Sequence, residues 1–310
     1  MAEDNPTGER FFAHGKVILL GEHAVVYGTP ALGGTLSLGA TVSLEPGSGR
    51  LVVPAWQMVV SSDYDGNELP LARAYRAIRR ALGLSPSGFD LKLEFSLPAG
   101  AGLGSSAAFA VAIGRALIRA HALPGGEALV AAAALASENE IHGKSSGFDQ
   151  ALALSPSGFY LFSHAAGCLR LTQRAPLSLV IADSGRTRDT RSAVDQVASL
   201  LRDRSDEVRA RIAAIAVIVD KGRAALEARA YGELGAAMQE NQRHLSALEV
   251  SAPEIDQLCA LANDQGAIGA KLTGGGRGGC VIMLAPGREQ ALQRAVENSG
   301  FRAFVAEVGG

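Results

Sequence analysis

The sequence predicts a chain of two α+β domains, residues 1–175 and 176–310, and three observations carry that expectation. The chain has 310 residues, about twice the usual domain size. Strand-like alternation and helical periodicity follow one another along its whole length. The texture also changes at residues 165–180, from Gly- and Ala-rich segments to longer, more charged helical stretches. Apolar residues make up 47% and charged residues 19%, enough to bury a sizeable core and too apolar for a disordered chain. Lys plus Arg number 29 against 31 Asp plus Glu, so no excess of positive charge points to nucleic acid or an anionic membrane as a partner. Apolar stretches such as Ala128–Ala136 stop far short of the roughly 20 residues of a membrane span. The polar, acidic Met1–Arg10 segment does not describe a signal peptide. Cys168, Cys259 and Cys280 are widely separated, without metal-ligand spacing; free thiols in a reducing cytoplasm are expected.

The elements follow in order. Lys16–Leu20 is a run of β-type residues, interrupted by Gly21-Glu22-His23 before a second apolar run through Val26. Alternation marks strands at Ala40–Leu44 and Leu51–Val60. Leu71–Leu82 has apolar residues at helical spacing, with Arg73, Arg76, Arg79 and Arg80 on the opposite face. Leu91–Phe95 reads as a strand and leads through Pro98-Ala99-Gly100-Ala101-Gly102-Leu103-Gly104-Ser105-Ser106 into a helix over Ala107–Ala120, the serines standing where N-caps belong. A second Ala-rich helix covers Glu127–Ile141. Beyond the change of texture come a strand at Ser178–Ala182 and helices at Thr190–Leu201, Val208–Ala228, Tyr231–Leu245 and Pro253–Gln265. Strands at Ala270–Thr273 and Gly279–Leu284, a helix at Glu289–Ser299 and a strand at Ala303–Val308 complete the pattern.

Glycine marks three candidate functional segments. The loop at 100–106 feeds a helix N-terminus, where backbone N–H groups and the helix dipole together suit phosphate. Taken alone it is equally a structural turn of small residues. It is not a Walker A loop, since no lysine follows Gly104, and it comes too late in the chain for a Rossmann fingerprint. The second segment is Ser137-Glu138-Asn139-Glu140-Ile141-His142-Gly143-Lys144-Ser145-Ser146-Gly147-Phe148-Asp149. Glu138 and His142 share a helix face, and Asp149 opens an apolar run that could form a helix; a capping aspartate beside solvated charges is the plainer reading. In the third, Lys271-Leu272-Thr273-Gly274-Gly275-Gly276-Arg277-Gly278-Gly279-Cys280, five glycines in six positions exceed what one tight turn needs. That segment fits an anion cradle, a loop held open for a neighbour, or a flexible connection.

These three segments occur in order behind Ala13-His14-Gly15-Lys16-Val17-Ile18-Leu19-Leu20-Gly21-Glu22-His23-Ala24-Val25-Val26-Tyr27-Gly28. The combination resembles the GHMP family of small-molecule kinases over nearly the whole chain, and within it the members that phosphorylate mevalonate. The Asp189-Thr190-Arg191 string adds a weaker match. The resemblance implies the two-domain α+β GHMP kinase fold, with a ribosomal S5 domain 2-like N-terminal domain and a ferredoxin-like C-terminal domain. It implies ATP and Mg²⁺ as cofactors and a small-molecule acceptor, with no nucleic-acid or membrane partner; a homodimer is compatible with it. Asp149 matches the base toward the acceptor hydroxyl and Lys16 the lysine paired with it. Ser106 and Glu138 match the metal ligands. Pro98, Gly100, Ala101, Gly102, Leu103, Gly104, Ser105 and Ser106 match the triphosphate loop, and Gly274, Gly275 and Gly276 the glycine loop that braces it. Lys16, Glu22, His23, Asp149 and Thr190 fall where the acceptor is held.

Departures from the family pattern bear on the acceptor. His14 stands where proline is usual, Lys144-Ser145-Ser146-Gly147-Phe148-Asp149 replaces Asn-Pro-Ser-Gly-Ile-Asp, and Arg277 interrupts a loop of small residues. Lys144 and Arg277 add positive charge that would suit a more anionic acceptor, which keeps phosphomevalonate kinase or another GHMP small-molecule kinase as the alternative. A catalytically dead nucleotide sensor would have lost one of Asp149, Lys16, Glu138 or Ser106; all four are present.

Overall fold

The computed structural model describes residues 6–61, 69–85, 88–98, 102–142, 147–173 and 175–310. Two compact units are formed: Met1–Gly15, Leu38–Pro98 and Gly104–Ser155 in one, Lys16–Ser37, Ala99–Leu103 and Pro156–Gly310 in the other. A single cut at residue 175 therefore does not separate them. Strands β1 (Arg10–Leu20) and β2 (Ala31–Pro46) are each long enough to supply residues to both units, and pairing rather than chain order decides membership.

In the first unit the later half of β2 pairs antiparallel with β5 (Phe89–Phe95), from Ala40↔Phe95 to Pro46↔Phe89. β3 (Leu51–Val53) pairs parallel with β5 and antiparallel with β4 (Met58–Val60). The expected continuous strand over 51–60 is thus a hairpin. Pro54 has no N–H for a ladder and starts a 3₁₀ turn, Pro54–Trp56, after which Gln57 adopts φ 49°. The helices are α1 (Pro70–Ala81), α2 (Ser105–Ala120), α3 (Gly126–His142) and α4 (Phe148–Leu154). Val42, Leu44, Leu91 and Leu93 from the strands share one core with Tyr75, Ile78, Phe109, Ile113 and Leu117. The buried alanines of α2 (Ala107, Ala108, Ala110, Ala112) let α3 and α4 approach it closely, which sets the spacing of the site residues below.

In the second unit the early half of β2 pairs with β6 (Phe159–Ser163) and meets β11 (Arg302–Val308) at Leu36↔Val308. With β7 (Gly167–Arg170), β8 (Leu177–Asp183), β9 (Gly269–Leu272) and β10 (Cys280–Leu284) the order is β7-β6-β2-β11-β8-β10-β9, antiparallel throughout. The helices are α5 (Thr190–Asp203), α6 (Ser205–Glu227), α7 (Tyr231–Ala247), α8 (Pro253–Asp264) and α9 (Glu289–Asn298). α7 lies hard against β9, because a Cβ on Gly235 would stand 2.3 Å from the Ile268 carbonyl. The apolar run through Val26 is a 3₁₀ turn, Ala24–Tyr27. β6, β7 and the early half of β2 lie in stretches broken by Gly and Ser, where period-2 patterning is too short to read.

Candidate functional site

The loop at 98–106 divides between the units. Pro98 follows β5, and Gly100 and Ala101 lie outside the described residues. Gly102 and Leu103 belong to the second unit, Gly104, Ser105 and Ser106 to the first. The serines do not cap α2. They already occupy helical positions, and the N-cap is Gly104, at φ 76°, which has no side chain to cap with. The Ser106 hydroxyl instead donates to Oε1 of Glu138, a carboxylate on α3 that is 3% exposed. Two hard oxygen donors are thereby joined at the open end of a helix. Among the described residues no group of three or more His, Cys, Asp or Glu could hold a metal. A hydroxyl and one carboxylate fit Mg²⁺, which keeps most of its other positions for water and phosphate oxygens. Asp149 sits in the first turn of α4. Phe148 and Leu152 anchor that helix in the core, and Gln150 Nε2 donates to the Ala131 carbonyl of α3 at 2.6 Å. Lys144 lies outside the described residues.

In the second unit β1 is tied to both glycine segments. The Lys16 N–H donates to Leu103 O at 2.8 Å, and Thr273 Oγ1 both accepts from Ile18 N–H at 2.9 Å and donates to Ile18 O at 3.1 Å. The Lys16 side chain is 2% exposed. A Cβ on Gly274 would stand 3.6 Å from Gly102 O, 3.6 Å from Arg188 Nη1 and 4.0 Å from Lys16 Nζ. The structure thus brings Lys16, Gly102, Arg188 and Gly274 together.

Beyond Lys16 the strand delivers Glu22 and His23, 1% and 6% exposed. Glu22 Oε1 takes the Lys271 ammonium and Oε2 accepts from Asn241 Nδ2 at 3.2 Å. Burial pushes the Glu22 carboxyl up and the Lys271 ammonium down, each opposed by the charge of its partner. His23 Nε2 lies 2.8 Å from Gly275 O. A carbonyl only accepts, so Nε2 carries the hydrogen and Nδ1 is left as an acceptor. Burial, partly offset by that hydrogen bond, holds the imidazole down at about 4, so it is neutral at physiological pH. Thr190 opens α5, whose N-cap Asp189 accepts from Ser192 N–H at 2.9 Å. The Thr190 Oγ1 stands 2.7 Å from where a Gly275 Cβ would sit, so a side chain at 275 would displace Thr190; Gly276 follows at φ 77°. Arg277 directs its guanidinium to α5 and to residue 249. Its Nη1 donates to Ser192 Oγ at 2.7 Å and its Nε to Glu249 O at 3.4 Å. None of the three cysteines forms a disulfide, and burial pushes the Cys259 and Cys280 thiols up to about 12.

Sequence reasoning did not single out Lys271, Asn241 or Arg188. Lys271 carried a signal, a lysine in a strand that is otherwise apolar or glycine; Arg188 stands two residues before Thr190; Asn241 carried none.

The chain also matches known proteins along its length. The profile described as "GHMP kinases N terminal domain" matches residues 70–156, and "GHMP kinases C terminal" matches 223–302. The mevalonate kinase of Pyrococcus horikoshii is 33% identical over 96% of this chain and 94% of its own length. That of Methanothermobacter thermautotrophicus is 33% identical over 95% and 96%. The crystal structure of L. major mevalonate kinase in complex with R-mevalonate superposes with a TM-score of 0.86 at 25% identity, covering 99% of this chain and 98% of that one. Among the described residues no helix is long and apolar enough to cross a membrane.

Proposed function

Because the chain belongs to the GHMP kinase family, we propose that it transfers the γ-phosphoryl group of ATP to the C5 hydroxyl of mevalonate, giving 5-phosphomevalonate and ADP. Its two-unit α+β architecture is the GHMP kinase fold. The observation that carries the reaction class is the Ser106–Glu138 contact at the open end of α2. Similarity along almost the whole chain narrows the acceptor.

In this reading the α2 N-terminus binds the triphosphate through backbone N–H groups. Ser106 and Glu138 would hold Mg²⁺, which when bound neutralises phosphate oxygens. Asp149 accepts the proton of the C5 hydroxyl as that oxygen bonds to the γ-phosphorus and the bond to the β,γ-bridging oxygen breaks. The Lys16 ammonium stabilises the developing alkoxide, the term that usually dominates such catalysis. Neutral His23 offers Nδ1 to the acceptor. Glu22 is already engaged by Lys271 and Asn241, so it acts by holding its neighbour His23 in place.

Ser106→Ala and Glu138→Gln are each expected to reduce activity in a way that raised free Mg²⁺ partly restores, because one oxygen ligand is lost and the ion then rests on phosphate and water. Rates measured from micromolar to tens of millimolar free Mg²⁺ decide it. A loss that no Mg²⁺ concentration changes removes both residues from the metal site.

The acceptor is tested by an ADP-release assay over a panel of alcohols at fixed Mg-ATP. Mevalonate is expected to exceed 5-phosphomevalonate by at least roughly tenfold in kcat/KM, about 1.4 kcal/mol of discrimination. Arg277, one of the two cations added relative to the family pattern, turns its guanidinium to Ser192 and the Glu249 carbonyl. An equal or better rate with 5-phosphomevalonate assigns the enzyme to that acceptor instead.

A further inference from the structure

We propose that Arg277 is a positioning residue for acceptor binding, one that works with Glu249 to fix the N-terminal end of α5 and so place Thr190; this rests on the reading of Thr190 as an acceptor contact. Arg277 has φ 56° in a loop whose glycines 274, 276, 278 and 279 also have positive φ. Glycine adopts that conformation without the Cβ clash an arginine meets there, so the side chain is present against backbone preference. What it does is visible in its bonds. Its N–H donates to Val250 O at 2.7 Å, and its guanidinium reaches Ser192 Oγ at 2.7 Å and Glu249 O at 3.4 Å.

Glu249 completes the attachment from the other side. It too has a left-handed backbone, φ 60°, and its carboxylate accepts from Gln196 Nε2 at 2.8 Å and Arg204 Nη2 at 2.5 Å. Residues 249 and 277 therefore hold α5 in its first turn, in its second turn and just past its C-terminal end. Apolar burial would not do this. α5 buries only Ala193, Val197 and Leu200, while Asp189, Thr190 and Arg191 are exposed. Two non-glycine residues in left-handed conformations, joined through the same helix, are the kind of local strain that persists where geometry serves function.

The test separates acceptor from nucleotide. Arg277→Gly fits the backbone and removes the side chain, so it is expected to keep or raise the melting temperature. It should also raise the KM for mevalonate by roughly tenfold, the scale on which small misplacements of positioning groups are felt. The KM for ATP should change by less than about twofold, since an interaction confined to the acceptor leaves nucleotide binding alone. Arg277→Lys, which keeps a cationic donor on a long side chain, should recover part of the loss. On a Thr190→Ala background Arg277→Gly should add little, as coupled residues do. An Arg277→Gly enzyme with unchanged acceptor KM overturns the proposal, and so does an equal rise in both KM values. If the parent enzyme prefers another acceptor, the same split is read on that acceptor. The mevalonate reading then fails while the role of Arg277 is still decided.

Discussion

Asp149→Asn is expected to lower kcat by at least roughly 10²-fold, the lower end of what a positioned general base contributes, with Mg-ATP affinity nearly intact. Asparagine matches the carboxylate in shape and cannot take the proton of an attacking alcohol. The backbone at 149 should not move, because α4 is anchored by buried Phe148 and Leu152 and by the Gln150–Ala131 hydrogen bond. The change therefore isolates chemistry from structure, and kcat and kcat/KM should fall together. Calorimetric nucleotide binding beside steady-state rates provides the check. A variant that keeps half the activity removes Asp149 from the catalytic role.

Lys271→Met is expected to destabilise the protein by about 3–5 kcal/mol, the usual consequence of leaving one half of a buried ion pair uncompensated. Lys271 is 0% and Glu22 1% exposed, so water cannot replace the lost partner. Adding Glu22→Leu should restore most of the stability, since an apolar pair of similar volume avoids the desolvation that the ions suffer. Denaturant unfolding of both single variants and the double variant yields the coupling directly. Additive losses in that cycle would show that the pair is not one unit. Activity need not follow stability in the double variant, because His23 is the residue after Glu22 and its Nε2 meets Gly275 O at 2.8 Å.

The legible parts of the site were those where chemistry restricts residue type locally. A hydroxyl after a glycine loop, a carboxylate on the next helix and an aspartate after a glycine turn can be read in order. Partnerships across distance could not be read. Glu22 and Lys271 lie 249 positions apart, and nothing in either neighbourhood announces the other. Arg277 shows the opposite failure, for its charge was plain and its use was not: only the direction of its side chain reveals that Ser192 and Glu249 take it up. Helices with strong periodicity, such as α1, lay close to their expected bounds. Short strands such as β6 and β7 did not register, and the serines before α2 looked like caps because a glycine N-cap leaves no side-chain signal.

The interleaving of β1 and β2 also governs the order in which the protein can assemble during synthesis. All segments of the first unit have left the ribosome once residue 155 has emerged, so that unit can close early. The second unit must wait. Its segment Lys16–Ser37 is made near the start, yet the strand that flanks it at Leu36↔Val308 is the latest in chain order, and Gly309 N–H closes on Thr35 O at 2.8 Å. Until β11 arrives, the early half of β2 lacks that neighbour, and pairing over so long a separation is intrinsically slow. That interval is when a nascent chain is open to pairing with the wrong strand, so chaperone demand should fall on the second unit rather than the first.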